Sequence, residues 1–267
     1  MDHTSTYSNA RDYITDRAAI GRYTFTSTQA QSALGTSPAA TKLALNRLSK
    51  QRLIASPSRG FYVVLPPEYQ ALGCLPADQF IPALMEHLGQ SYYAGLLSAA
   101  QYYGAAHHRP QEFQVMIEKM HRPIQCGSVS VIFITRKHLT GIPVQSLNTP
   151  RGTILVSSPE ATAVDIVGYH YHVGGIDQAA TILMELSEKI DPEKLVLAAQ
   201  TAPIVWAQRL GYLLELVGAG EKTLALKTYV HQHTRLASPL LSKKEYRQSP
   251  RNKTWKLYIN AEVEVDL

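Results

Sequence analysis

Apolar positions in the first sixty residues recur at helical spacing in three short blocks and then switch to strand-like runs. Asn9 through Ile20 reads as a first helix with Tyr13, Ile14 and Ala18 turned inward, closed by Gly21. Tyr23-Thr24-Phe25 forms a short extended link. Ser27 or Thr26 can cap a second helix over Thr28–Leu34, where Ala30 and Leu34 lie four residues apart on one face. Gly35-Thr36 makes a turn. Ser37 then caps a third helix that opens on Pro38, where a missing amide costs nothing, and runs to Lys50 or Gln51. Leu53-Ile54 starts a strand, Ser56-Pro57-Ser58-Arg59-Gly60 turns, and Phe61–Val64 returns. The series predicts a helix-turn-helix followed by a hairpin wing.

The third helix has two distinct sides. Thr41, Ala44, Leu45 and Leu48 share a stripe at helical spacing, whereas Ala39, Lys42, Asn46 and Lys50 fall opposite it, with Arg47 on the flank. Leu43 does not fit the buried stripe.

Leu65-Pro66-Pro67-Glu68-Tyr69 breaks regular structure and marks an expected boundary between a domain of residues 1–66 and a larger one of residues 67–267. In the larger part the pattern predicts helices over 77–88 and 93–103, strands over 113–117, 129–135 and 153–157, then helices over 159–169, 176–188, 192–199 and 204–217. The end reads as extended over 254–260 and 262–267. Strands neither alternate regularly with helices nor segregate from them. The fold class is α+β: an N-terminal winged helix-turn-helix domain followed by a larger mixed α/β domain.

Charge adds a partner to this picture. The 267 residues carry a net +5. Divided along the chain, residues 1–66 hold +5, residues 67–237 hold −2 and residues 238–267 hold +2. Between Arg17 and Pro67 there is no acidic residue against seven basic ones: Arg17, Arg22, Lys42, Arg47, Lys50, Arg52 and Arg59. A field of one sign on a helix-turn-helix points to nucleic acid. A cation can reach phosphate or guanine from a helix in the major groove, and an asparagine can pair with adenine through two hydrogen bonds. The expected DNA-binding set is Ser27, Thr28, Ser37, Thr41, Lys42, Asn46, Arg47 and Lys50, with Arg59 at the wing tip and Arg22 and Arg52 as phosphate clamps. The alternative is a structural adaptor whose basic face is only solvated.

Composition excludes several other classes. Two cysteines, Cys74 and Cys126, make neither a disulfide framework nor paired metal ligands. The start, MDHTSTYSN, lacks a signal-peptide pattern, and no apolar run approaches the ~18 residues a membrane span needs; a cytoplasmic protein without membrane contact is expected. His107-His108, His170/His172 and His231/His233 have no cysteine or acidic third ligand nearby, so neither a metal nor another cofactor is expected. Gly127-Ser128 resembles the opening of a nucleotidyltransferase motif, yet the paired aspartates such chemistry needs do not follow. Glu262, Glu264 and Asp266 alternate along the expected last strand as a solvated face. Asp191-Pro192-Glu193-Lys194 reads as a helix start with acids in its first turn. No catalytic constellation emerges.

Three segments together carry a resemblance: YYAGLLSAAQYYGAAHHRP (Tyr92–Pro110), SSPEATAVDIVGY (Ser157–Tyr169) and NKTWKLYIN (Asn252–Asn260), set behind a winged N-terminal domain. The chain resembles the AbiEi family of antitoxins from toxin–antitoxin operons of phage abortive infection. That resemblance implies a non-enzymatic protein with two tasks. The winged domain would bind inverted repeats of double-stranded operator DNA and repress the operon. The C-terminal domain would counteract a nucleotidyltransferase-like toxin encoded in the same operon, without a stable complex being required. Carried over by position, the family pattern marks Ser98, Gly104, Glu160, Thr162 and Asp165, whose spacing also suits capping and scaffold roles. Two other readings compete: a stand-alone winged-helix repressor with a ligand-sensing or dimerisation domain, and an enzyme acting on nucleic acid.

Overall fold

The computed structural model describes residues 7–105 and 111–265. In chain order the elements begin α1 (Ala10–Ala19), β1 (Thr24–Thr26), α2 (Ser27–Leu34), α3 (Pro38–Lys50), β2 (Ile54–Ser58) and β3 (Phe61–Val64). They continue with α4 (Ile81–Leu88), β4 (Tyr92–Ala94), α5 (Leu96–Tyr102), β5 (Glu112–Ile117), β6 (Ile124–Cys126), β7 (Val129–Thr135), β8 (Val144–Thr149) and β9 (Gly152–Ser157). The last part holds α6 (Pro159–Gly168), α7 (Ile176–Leu186), α8 (Pro192–Ala199), α9 (Ile204–Leu216), α10 (Leu224–His233) and the short strands β10 (Ser238–Pro239), β11 (Arg251–Asn252) and β12 (Leu257–Tyr258). The fold is α+β.

Two compact units divide the chain: residues 1–92, 111–138 and 146–155 in one, and residues 93–110, 139–145 and 156–267 in the other. This division does not fall at residue 66, and the packing shows why. Strand β3 alternates between two cores. Val64 joins Tyr13, Ile14, Phe25, Ala30, Leu45 and Leu48 under the three helices, whereas Phe61, Val63 and Leu65 pack with Leu75, Phe80, Ile81, Leu84, Val115 and Val131. A two-sided strand needs apolar cover on both faces.

Local chemistry explains the winged element. Asn9 caps α1 by accepting from the Arg11 and Asp12 amides. Thr26, not Ser27, caps α2 and forms a capping box with Gln29. Ser37 caps α3 and Pro38 opens it. Strands β1, β3 and β2 form an antiparallel sheet in that order, completing the winged helix-turn-helix. In the rest of this unit β5 pairs in parallel with β7, and β6 folds back antiparallel on β7 through Gly127-Ser128.

The second unit is built around α6, buried along its whole length from Pro159 to Val167 and touched by α5, α7, α8 and α9. Two tryptophans seal it. A Cβ on Gly168 would fall 2.4 Å from the Trp206 ring, and one on Gly211 would fall 2.1 Å from the Trp255 ring. The Gln208 side-chain amide reaches the carbonyls of Leu236, Trp255 and Lys256 from α9 and fixes the C-terminal segment.

Several expected elements differ. The helix foreseen over 93–103 is instead β4, a sharp turn and α5; Leu96 takes φ +52° so that its side chain can be buried between them. The extended end over 254–260 shortens to β12, and residues 262–265 form no strand, so Glu262 and Glu264 share no sheet face; Asp266 lies outside the described residues. Helix α10, which has no counterpart in the sequence reading, carries His231 and His233. Strands β6 and β8 have no counterpart in the sequence reading; β6 alternates over only three residues, and β8 is largely exposed and lacks an apolar alternation.

Candidate functional site

The capped start of α3 orients its two faces. Leu45 and Leu48 are buried, which turns Lys42, Asn46, Arg47 and Lys50 out into solvent together with Ala39. Leu43, unplaced by its spacing, is 59% exposed and lies within this outward stripe. Arg59 is exposed at the wing turn beside Gly60, whose φ of +77° the tight hairpin requires. The wing is anchored from below, because the Ser27 amide donates to the Gly60 carbonyl at 2.9 Å.

Not every expected residue belongs to that face. Thr41 is buried, and its hydroxyl pairs with that of Thr36 at 2.8 Å; it stands on the core stripe and is withdrawn from the outward set. The Ser37 hydroxyl is occupied as the α3 cap, accepting from Ala40 at 3.3 Å. Ser27 is half-buried at the wing anchor, while Thr28 is exposed. Arg17 turns inward: its guanidinium donates to the Thr24 carbonyl and lies 5.6 Å from the Tyr13 ring centroid. Arg22 and Arg52 are exposed. Arg52 holds φ +56° just past α3, where the Leu53 amide bonds the Leu48 carbonyl in a Schellman-type cap. Six of the seven basic side chains counted in the sequence therefore remain outward.

In the same unit a polar hollow of about 810 Å³ is lined by residues including Arg22, Gln29, Gln79, Glu86 and Arg151. Arg151 was not singled out by sequence. Its guanidinium sits 3.5 Å from the Tyr23 ring centroid while bonding Gln79 at 2.8 Å and Glu68 at 3.1 Å. Contacts across more than seventy residues leave no local signal.

Of the family-marked residues of the second unit, Glu160 and Thr162 lie at the β9–α6 corner. Ser158 caps α6 and donates to Glu160 Oε2 at 2.8 Å, and Glu160 Oε1 accepts the Asp191 amide at 3.0 Å, tying the starts of α6 and α8 together. The hydroxyls of Ser157 and Thr162 lie 2.7 Å apart. Tyr103 donates to the Ser157 carbonyl at 2.6 Å; burial, then the Glu160 charge, pushes its phenol up. Tyr93 donates to Asp165 Oδ2 at 2.7 Å. Ser98, Glu160, Thr162 and Asp165 are all buried, and Gly104 turns the chain at φ +76° after α5. Both Glu160 oxygens accept hydrogen bonds from within the protein, as a buried carboxylate requires.

The other constellations resolve structurally. Asp191 caps α8, and the Lys194 and Glu193 amides hold its carboxyl below the usual range. His170 is buried and His172 exposed. His231 and His233 bond different carbonyls, those of Thr254 and Tyr229. His107-His108 lies outside the described residues. Among the described residues no group of three His, Cys, Asp or Glu could hold a metal ion, and no helix is long and apolar enough to cross a membrane.

Residues 93–216 match the family model described as the AbiEi antitoxin C-terminal domain. The chain shares its fold with the crystal structure of the RV2827C protein from Mycobacterium tuberculosis: TM-score 0.65 and 17% identity, over 93% of this chain and 90% of that one. An antigenic nucleotidyltransferase-like protein from Paracoccidioides brasiliensis aligns with TM-score 0.37 and 13% identity, over 57% of this chain and 90% of that one. No curated protein matches the chain.

Proposed function

We propose, for a chain whose residues 93–216 match the model of the AbiEi antitoxin C-terminal domain, that it is a non-enzymatic antitoxin that also represses its own operon. In this reading the winged helix binds inverted repeats in the operator, and the second unit counteracts a nucleotidyltransferase-like toxin encoded beside it. The observation that carries the DNA half is the outward face of α3. Lys42, Asn46, Arg47 and Lys50 are solvent-exposed on one side of a helix whose other side is buried, with Arg59 at the wing tip. Cations steer the duplex and set register on phosphate, and the Asn46 amide reads a base edge.

A mobility shift of the full-length protein on the DNA immediately upstream of its own gene tests the repressor half. Preference for that DNA over random duplex, lost on changing Lys42 and Asn46 to Ala, is the expected outcome; equal binding to both duplexes overturns it. Co-expression with the neighbouring toxin tests the antitoxin half, where restored growth is expected and unrelieved toxicity counts against it.

A second reading, a stand-alone repressor that senses a small molecule, draws on the polar hollow beside Arg22 and Gln29. The absence of a toxin gene next to this one would favour it.

A further inference from the structure

Cys74 and Cys126 have no part in the functions proposed above, yet the fold brings them face to face from fifty residues apart. The Ser128 amide donates to the Leu72 carbonyl at 2.8 Å. One step inward, Gly73 and Gly127 meet backbone to backbone: a Cβ on Gly127 would lie 2.2 Å from the Leu72 oxygen and 2.8 Å from the Gly73 Cα. Residue 72 thus faces 128 and residue 73 faces 127, and the next step in the same antiparallel sense sets Cys74 opposite Cys126. Both thiols are free and buried in one core cluster, Cys74 at 0% and Cys126 at 7% exposure. The exposed turn residues Gly127 and Ser128 adjoin Cys126.

We propose that Cys74 and Cys126 form an oxidation site, which a peroxide closes to an intramolecular disulfide. The bond would staple the segment that follows the wing to β6, and β6 packs against wing strand β2.

The environment assigns each sulfur a role. The Cys74 thiol donates to the Cys126 sulfur; that bond, followed by burial, pushes Cys74 up. The same bond holds Cys126 below the ordinary thiol range, aided by the Ser56 backbone amide. Cys126, the less buried of the two and next to the exposed Gly127-Ser128 turn, is the attacking thiol and Cys74 the resolving thiol. Cys126 attacks one peroxide oxygen, the O–O bond breaks, an alcohol or water leaves, and a sulfenic acid remains on Cys126. Cys74 then attacks that sulfur, the S–O bond breaks, water leaves and the disulfide forms. The two thiols are oxidised by two electrons and the peroxide is reduced by two.

Hydrogen peroxide applied to the reduced full-length protein supplies the test. The expected product has lost two hydrogen atoms in intact mass, shows no titratable thiol after denaturation, melts at higher temperature and reverts with dithiothreitol. Added oxygen atoms with Cys74 still titratable, covalent dimers, or an unchanged mass would each overturn the proposal. In a Cys74→Ala variant the reaction should stop at a Cys126 sulfenic acid that dimedone traps. A variant too unstable to purify leaves the decision with the native chain.

Discussion

The Tyr93 phenol donates to Asp165 Oδ2 at 2.7 Å, with both side chains sealed from solvent. The pair links β4 to the middle of α6, seventy-two residues apart. A buried acceptor that loses a donor bears much of its desolvation cost. Tyr93→Phe is therefore expected to lower unfolding stability by about 1–3 kcal/mol. Denaturant melts read this directly, and a loss below about 0.5 kcal/mol would show that Asp165 does not depend on the phenol. Antitoxic activity in such variants should track folded fraction.

Arg52 occupies a left-handed position that glycine fills more easily. Arg52→Gly relieves the side-chain strain and, after the entropy cost of glycine, should stabilise the protein by roughly 0.5–1 kcal/mol. Because it also removes an exposed cation, DNA affinity should fall while the melting temperature rises. Thermal melts beside binding isotherms check the opposed signs; a drop in both would remove the strain argument.

The outward face of α3 predicts how binding responds to salt. With about five phosphate contacts, log affinity should fall with log salt at a slope near ~−4 to −5. Lys42→Ala and Asn46→Ala should each cost roughly 1–3 kcal/mol on the operator. If α3 enters the major groove as proposed, Leu43, exposed among them, would meet a thymine methyl, so Leu43→Asn should reduce any sensitivity to replacing operator thymine by uracil. Titrations at several salt concentrations, on operators with and without uracil, measure all three, and a flat slope would remove the electrostatic case.

His170 predicts a pH dependence in the second unit. Burial lowers its pKa from 6.5, the Arg209 and Lys243 charges lower it further, and the Val167 carbonyl partly opposes them. Its Nε2 has no hydrogen-bond partner among the described residues. The folded state thus takes up this proton at lower pH than the unfolded chain. The contribution of His170 is complete above pH 6.5 and is lost as pH falls from there through the folded value. Stability measured at pH 7.5 and 5.5 should differ less in a His170→Gln variant than in the native chain; equal differences would exclude this histidine as the cause.

Strand β3 predicts how a truncated chain behaves. A fragment ending at residue 66 keeps the core beneath α1, α2 and α3 but strips cover from Phe61, Val63 and Leu65. Such a fragment should bind hydrophobic dye and associate, as exposed apolar patches do. A monomeric, dye-negative fragment would restore a domain boundary at Pro66.

The winged element is legible because its determinants are local. Asn9, Ser37, Pro38 and the Gly60 turn act within four residues of themselves, and Leu45 and Leu48 mark the inner face of α3 by spacing alone. Helix α8 is equally plain from Asp191 and Pro192. The 93–103 segment misleads because its run of small apolar residues suits helix or strand equally, and only burial of Leu96 at positive φ decides for a turn. Thr41 illustrates a subtler limit: spacing puts it on the inner stripe while its residue type suggests a DNA contact, and the Thr36 hydroxyl decides for the core.

The sequence by itself determined the helix starts at Ser37 and Asp191, the face of α3 that meets solvent, the charge asymmetry and the family resemblance. Each of these is read along the chain without knowing which segments meet in space. Tertiary structure alone decided that β3 serves two cores, that Glu160 joins two helix starts and that Trp255 lies on Gly211. It also decided that Gly127 meets the backbone of Gly73. Those relations depend on close packing between segments dozens of residues apart, and their chemistry leaves no periodic trace along the chain.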